Sequence, residues 1–307
     1  MIRFDRGDVA FGRHQTFPLR YGWLSKAFRA VEQDPRILRS DAAIAELGVG
    51  KNMVESMAYW LRACRLIEAP IEVKPTELGK LLFARDGADP YLEDEATIWL
   101  LHWLICSNPT QATSWYWFFN KFHKTEFSAE EIQTALSDYV KDQVKEERQA
   151  SASTLKNDAI LLPRMYSQSS ITKSKPIEDV LDSPFALLGL VVQSGRERFY
   201  SSIPSYRDGL PPEIIGFAIL ELLETLSAES LLVEDLLYSR GDLPSPGSVF
   251  RLTEQGLIAK LEQLVDAFPD HFRLDDTAGL HQLFRIQPIS AVEILRTYYQ
   301  PYLGEVA

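Results

Sequence analysis

Apolar side chains recur at helical spacing along the first part of the chain, in stretches that turn residues separate. The first apolar face consists of Trp23, Leu24, Ala27, Phe28 and Val31. This helix should end at Asp34-Pro35, because the residue before a proline avoids the α region. Asp41 is placed to cap a short helix over 42–47, and the turn at 48–50 should lead into a longer helix over 51–65.

Two short stretches follow, 66–68 and 71–74, with the composition of strands joined by a turn at Ala69-Pro70. A helix over 76–83 should close the unit. Helix, turn, helix and β-ribbon in this order are typical of a winged helix, in which the helix before the ribbon enters the DNA major groove. The sequence therefore predicts a winged-helix domain over 1–85, including an N-terminal arm.

Helical patterns continue through the middle of the chain, so residues 86–170 are predicted to form a helical domain. Ser128 and Glu131 have the spacing of a capping box at the start of a long amphipathic helix. Ser151 or Ser153 should begin the next helix.

The last part of the chain, 171–307, is predicted to form a winged-helix-like domain. The Ser/Thr/Lys-rich composition of residues 167–179 indicates a linker or an exposed loop. A hairpin should turn at Ser194-Gly195. Residues 249–257 repeat the ending of the first domain, with a strand, a Thr cap and an apolar helix. A second hairpin over 272–286 and a terminal helix complete a fold that is mainly α with small β elements.

The charge of the chain is strongly uneven. Its net charge of −11 argues against DNA at first, because phosphates repel an acidic surface. The first 65 residues, however, carry 11 Lys and Arg against 7 Asp and Glu, a net +4, which leaves −15 for the rest. A basic module on an acidic protein is therefore compatible with a nucleic-acid partner.

Cysteine content and hydropathy indicate the cellular compartment of the protein. Cys64 and Cys106 are the two cysteines, both in apolar helical context, and form neither a metal motif nor a disulfide framework. The start of the chain lacks the apolar core of a signal peptide, and the apolar stretch over 98–106 is too short to cross a bilayer. These features predict a cytoplasmic protein with no membrane segment.

Basic residues in the first domain are the candidates for nucleic-acid contact. Lys51 and Asn52 would begin the recognition helix, where backbone N–H groups also favour phosphate. The preceding segment interleaves basic and aromatic residues, a composition suited to phosphate contact and base stacking. Its basic members are Arg13, His14, Arg20 and Lys26. The alternative is an arm that packs its rings into the core, and both can hold together.

Five carboxylates lie within residues 86–95, a density that suits a hard cation such as Mg²⁺. Glu93 and Asp94 are the candidate metal ligands, and Asp89 with these two the candidate catalytic set, because a bound ion could activate water against a phosphodiester. The alternative is that acids enrich a helix N-terminus through capping and the helix dipole.

A second mixed cluster lies around the predicted hairpin turn at 275–279. It consists of His271, Asp275, Asp276 and His281. Histidine with carboxylate could ligate a transition metal, but the turn itself explains an Asp-Asp-x-x-Gly sequence, and we favour that explanation.

Four stretches together resemble the SspB-type component of bacterial DNA phosphorothioation systems. They are residues 14–23, 47–53, 89–103 and 182–190. The resemblance implies a partner set of a cysteine desulfurase, an ATP-pyrophosphatase-type enzyme and an ATPase, which place sulfur in the DNA backbone as part of phage defence. It also implies nicking of one DNA strand with a divalent metal. No catalytic residue is carried over from the family.

Two functions therefore follow from the sequence. The first is a magnesium-dependent nickase that docks double-stranded DNA through its basic module. The second is a non-catalytic DNA-binding adaptor, whose acidic C-terminal module recruits the sulfur-transfer enzymes. The resemblance favours the first, and the lack of a complete nuclease signature favours the second.

Overall fold

The computed structural model describes residues 3–68, 73–168, 183–195, 199–277 and 280–303. The predicted turn at 69–70 lies outside the described residues, as does most of the predicted linker over 167–179. The architecture is mainly α with small antiparallel sheets, as the sequence predicted.

The first unit follows the N-terminal arm, residues 3–22, and has the predicted winged-helix order. Its elements are α1 (Trp23–Gln33), α2 (Ala42–Leu47), α3 (Lys51–Ala63), β1 (Ile67–Glu68), β2 (Lys74–Pro75) and α4 (Glu77–Phe83). Asp41 makes no capping hydrogen bond to α2, whereas the Ser40 hydroxyl accepts one from the Ala42 N–H at 3.1 Å. Thr76 caps α4 by accepting from the Gly79 N–H. A Cβ on Gly79 would collide with the Leu66 carbonyl, so glycine permits α4 to pack closely on β1.

The second unit combines the predicted helices with strands from further along the chain. Its elements are α5 (Glu95–Cys106), α6 (Thr113–Asn120), β3 (Glu126–Ser128), α7 (Ala129–Gln143), α8 (Ala152–Tyr166), β4 (Val192–Gln193) and β5 (Phe199–Ser201). The capping box of Ser128 and Glu131 is confirmed, and Ser151 rather than Ser153 caps α8. In the hairpin predicted at 194–195, β4 pairs with β5, and β5 also pairs with β3, which gives the order β3-β5-β4.

This pairing gives the middle of the chain a winged-helix arrangement that the sequence did not predict. Helix α6, strand β3, helices α7 and α8, and strands β4 and β5 follow one another in the order of that fold. The predicted boundary at residue 171 assigns β4 and β5 to the last domain, whereas their hydrogen bonds join them to the middle one.

The third unit repeats the same topology. Its elements are α9 (Pro212–Leu226), β6 (Ser230–Leu232), α10 (Val233–Leu237), α11 (Pro246–Val249), α12 (Glu254–Ala267), β7 (Phe272–Thr277), β8 (Leu280–Arg285) and α13 (Ala291–Tyr299). The strand order β6-β8-β7 matches β3-β5-β4. The hairpin and terminal helix are confirmed, and Thr253 caps α12 as predicted. The prediction of a strand before Thr253 is wrong, because Val249 ends a helix and Leu252 forms only one bridge, to Ser205.

Buried side chains run without a break through all three units. Trp60 of α3 meets Trp115 of α6 edge to face, with ring centroids 5.3 Å apart. Arg65, which follows α3, forms a bidentate pair with Glu221 of α9 at 2.7 and 3.1 Å. Burial alone would raise the pKa of Glu221, but the charge and hydrogen bonds of Arg65, with the Trp103 indole N–H, hold that pKa below its usual value. The first and third units are therefore joined directly, and Trp103 of α5 adds a contact to the same carboxylate.

A buried arginine caps the second unit from within the third. The guanidinium of Arg251 donates to the carbonyls of Phe118, Phe119 and Phe122 at the C-terminal end of α6, and to the Ser202 hydroxyl. Burial lowers its pKa to about 10, so the group remains charged at neutral pH. Its charge is matched by the negative end of the α6 dipole.

Candidate nucleic-acid interface

The N-terminal arm lies between α3 of the first unit and α8 of the second. His14 stacks on Trp60 at a centroid distance of 6.3 Å and meets Trp115 edge to face. Its side chain is 1% exposed. The prediction that His14 contacts nucleic acid does not fit this position, because the imidazole is enclosed by aromatic rings.

His14 instead forms a buried polar joint with Asp158 of α8. The imidazole Nδ1 accepts from the Thr16 N–H at 3.1 Å, which assigns the proton to Nε2, and Nε2 donates to Asp158 Oδ1 at 2.7 Å. The Ser114 hydroxyl donates to Asp158 Oδ2 at 2.6 Å, and the Gly12 N–H donates to Oδ1. Three donors thus satisfy one buried carboxylate, as a buried charge requires. This joint holds α3, α6 and α8 together through the arm.

The structure brings three of the other predicted contact residues to the turn between α2 and α3. Lys51 and Asn52 are exposed in the first turn of α3. The ammonium of Lys26 lies 3.8 Å from where a Cβ on Gly48 would be, so it reaches the same turn from α1. Gly50 at the N-cap offers no side chain to the first N–H groups of α3. These groups and the two lysines favour an anion at this end of the helix.

The two remaining predicted residues lie elsewhere. Arg20 is half-buried, and its guanidinium lies 5.4 Å from the centroid of the Trp23 ring. Arg13 is exposed beside the part of α3 that runs from Glu55 to Arg62. There it lines a cavity of about 490 Å³ together with Arg62 and Arg148, neither of which sequence reasoning had selected. One feature of the sequence relates Arg62 to the wall of this cavity: it lies two helical turns after Glu55, which places both residues on the same face of α3.

The acidic segment around 86–95 has defined local roles. Asp89 is buried, and its two oxygens accept from the N–H groups of Glu93 at 2.7 Å and Asp94 at 3.2 Å. Asp94 caps α5 by accepting from the Ala96 N–H, and it also accepts from the Tyr298 hydroxyl. Burial and the Asp94 carboxylate raise the pKa of Tyr298, so the phenol stays protonated as the donor.

Glu93 differs from Asp89 and Asp94 because it is exposed and its carboxylate has no partner among the described residues. Asp89, Glu93 and Asp94 do not form a three-ligand metal site, and the described part of the chain contains no group of three His, Cys, Asp or Glu side chains that could hold an ion.

The second predicted cluster is also spread out. His271 Nδ1 lies 3.3 Å from the Gln287 carbonyl, and Asp275 pairs with Arg273. His281 and Asp276 face each other across the β7–β8 pair at 3.9 Å. These contacts are those of a polar hairpin. Asp275 and Asp276 lie in β7 rather than in a turn as predicted, and residues 278–279 lie outside the described residues.

Comparisons with known proteins cover almost the whole chain. A family model described as a protein of unknown function, DUF4007, matches residues 11–299. An SspB crystal structure matches with a TM-score of 0.83 and 28% identity, over 97% of this chain and 90% of that chain. A magnesium ion-bound SspB crystal structure matches with a TM-score of 0.82, the same identity and the same coverage.

Curated proteins give no match to the chain. Among the described residues, no helix combines the length and the apolar character needed to cross a membrane. With a family model that spans residues 11–299 and two SspB structures that share its fold, the chain belongs to the DUF4007 family and is an SspB-like protein.

Proposed function

We propose that this chain is the DNA-binding component of a DNA phosphorothioation system and that it nicks one strand of double-stranded DNA. The observation that carries the proposal is the likeness to SspB over 97% of the chain at 28% identity. The partners would be a cysteine desulfurase, an ATP-pyrophosphatase-type enzyme and an ATPase. A nick would expose the backbone on which these enzymes place sulfur.

The charge distribution supports the first unit as the DNA-facing one. Lys26, Lys51 and Asn52 surround the N-terminus of α3, the helix that enters the major groove in winged-helix proteins. The net +4 of the first 65 residues is the sign that phosphates attract. The acidic remainder is suited to protein partners.

Lys51→Glu should weaken binding to duplex DNA by roughly 3- to 10-fold at physiological salt, because it removes one phosphate contact and adds repulsion. The slope of log affinity against log salt concentration is negative, and its magnitude should decrease by about 1. Fluorescence anisotropy with a labelled duplex over a salt series measures both. Arg85→Glu is the matched control, since Arg85 is exposed and follows α4 in the same unit. Unchanged binding by Lys51→Glu would place the DNA surface elsewhere.

Dependence on a divalent ion belongs to the proposal, and a magnesium ion-bound SspB structure supports it. Mg²⁺ would polarise a phosphodiester and lower the pKa of a bound water. The predicted ligands do not fit a three-carboxylate site, because Asp89 and Asp94 already accept backbone and hydroxyl donors. We therefore assign no catalytic step to these residues through a metal.

Purified protein should convert supercoiled plasmid to open circles with Mg²⁺ and lose that activity with chelator. If the Glu93 carboxylate binds the ion, Glu93→Gln should reduce the nicking rate at least about tenfold. Glu93 is the informative position because its side chain has no partner among the described residues, whereas Asp94→Ala would also remove a helix cap. Glu262→Gln, at an exposed position of α12, serves as the control. Full activity of Glu93→Gln would remove Glu93 from the site, and absence of nicking by the wild type would reject the nickase.

The adaptor remains the second candidate, and the surface of the third unit favours it. Residues 201–307 carry 7 Lys and Arg against 16 Asp and Glu. Tyr238 is 57% exposed beside the acidic helix α10, where an aromatic ring offers a contact to another protein. Duplex binding without any plasmid nicking would establish this alternative.

A further inference from the structure

A concave cavity of about 490 Å³ lies where the arm meets the first and second units. Its walls come from the arm, from residues 55–62 of α3, from the loop before α6 and from the turn after α7. Such a volume is within the range of small-molecule sites. The cavity follows α3 from Glu55 to Arg62, and its lining includes none of Lys26, Lys51 and Asn52 at the duplex-facing turn described above.

Three arginines of this cavity form no ion pair with any of the described residues. The guanidinium groups of Arg13, Arg62 and Arg148 donate no hydrogen bond and form no ion pair within the described part of the chain. Arg62 is half-buried. Burial lowers its pKa, and the positive charges of Arg39 and Arg13 lower it further. Positive charge is therefore gathered in a partly desolvated place, an arrangement that an anion would stabilise.

The remaining wall restricts what that anion can be. Gln15, Thr110 and Gln111 supply neutral hydrogen-bonding groups, as the polar part of a nucleotide requires. Glu55 and Asp8 also line the cavity, and the Gln15 amide donates to Glu55 at 3.0 Å. With three arginines against two carboxylates, the lining keeps a net positive charge.

We propose that this cavity binds the terminal phosphate of a nucleotide unit, either at the end of a DNA strand or on a free mononucleotide. A terminal phosphate carries about −1.5 to −2 charges at pH 7, more than the single charge of each phosphate within a duplex. The planar fork of arginine matches phosphate oxygens in pairs. A concavity admits one such group, whereas the continuous backbone of a duplex needs an open surface.

The strand-end form of this inference rests on the proposed function, because a nick creates strand ends. Phosphate binding itself does not depend on nicking. The two ideas therefore fail separately: a protein that never nicks plasmid can still prefer a phosphorylated end, and an active nickase can lack that preference.

The test compares two nicked duplexes that differ only in a 5′-phosphate or a 5′-hydroxyl at the nick, with binding followed by fluorescence anisotropy. The wild type should prefer the phosphorylated duplex by about tenfold, as charge-assisted hydrogen bonds imply. Arg62→Gln should abolish that preference and leave binding to the intact duplex unchanged. Arg85→Gln, an exposed arginine outside the cavity, should retain it.

A parallel calorimetric titration with deoxyadenosine 5′-monophosphate and with deoxyadenosine distinguishes the free nucleotide from the strand end. Binding of the monophosphate but not of deoxyadenosine, lost in Arg62→Gln, would identify a free-nucleotide site. Equal affinity of the wild type for both nicked duplexes, with no heat from the monophosphate, would overturn the proposal. If Arg62→Gln does not fold, Arg148→Gln provides the same test, because Arg148 is exposed and its side chain has no partner in the part of the chain that the structure describes.

Discussion

Asp158→Ala is expected to lower the free energy of unfolding by about 3–5 kcal/mol. The substitution removes the acceptor for His14 Nε2, the Ser114 hydroxyl and the Gly12 N–H, all at a buried junction. Each donor left without a partner costs free energy because water cannot reach it. Urea denaturation followed by far-ultraviolet circular dichroism measures the change from the shift of the midpoint at constant slope.

Asp138→Ala is the matched control, since Asp138 is exposed on α7 and should change stability by no more than about 0.5 kcal/mol. His14→Ala and the double variant complete a cycle. Because His14 and Asp158 share one network, the double variant should lose less than the sum of the two single losses. An Asp158→Ala protein as stable as Asp138→Ala would show that the joint contributes little.

Arg251→Met should have an effect of similar size, about 3–5 kcal/mol. Methionine fills much of the volume but leaves the carbonyls of Phe118, Phe119 and Phe122 without the guanidinium that now caps α6. Arg251→Lys keeps the charge but has no planar fork to reach three carbonyls, so it should recover only part of the loss. The same urea series measures both variants.

Arg273→Met is the comparison for Arg251→Met. Arg273 is 57% exposed and pairs with Asp275 at the surface, where such pairs contribute at most about 1 kcal/mol. Equal destabilisation of the two variants would mean that burial of the Arg251 cap brings no extra stability, contrary to the prediction.

The elements that the sequence predicted well are those with local causes. Apolar spacing located α1 and α3, and the capping box of Ser128 and Glu131 located the start of α7. The second winged-helix arrangement escaped prediction because β3 and β5 are three residues each and are separated by 70 residues of chain. Their pairing depends on contacts that no local pattern encodes.

The candidate site shows the same division. Lys51 and Asn52 were placed correctly at the start of α3, since a turn followed by an apolar helix fixes that position. His14 was grouped with its basic neighbours, although its partner Asp158 is 144 residues away in a helix with its own periodicity. Arg62 was not selected because it lies in a mainly apolar helix. The cavity around it is completed by the arm and the second unit, which are distant from it in the sequence.

The joints at His14–Asp158 and Arg65–Glu221 have a consequence for the proposed DNA binding. They fix α3 relative to the units behind it, so under the proposed function a duplex would meet a surface of fixed shape. Over the length of a binding site DNA resists bending, at a cost of roughly 1–6 kcal/mol that depends on the flexibility of its base steps. A DNA ligand of this protein would therefore have to adapt its shape, and easily deformed sequences would be preferred even at base pairs that no side chain touches.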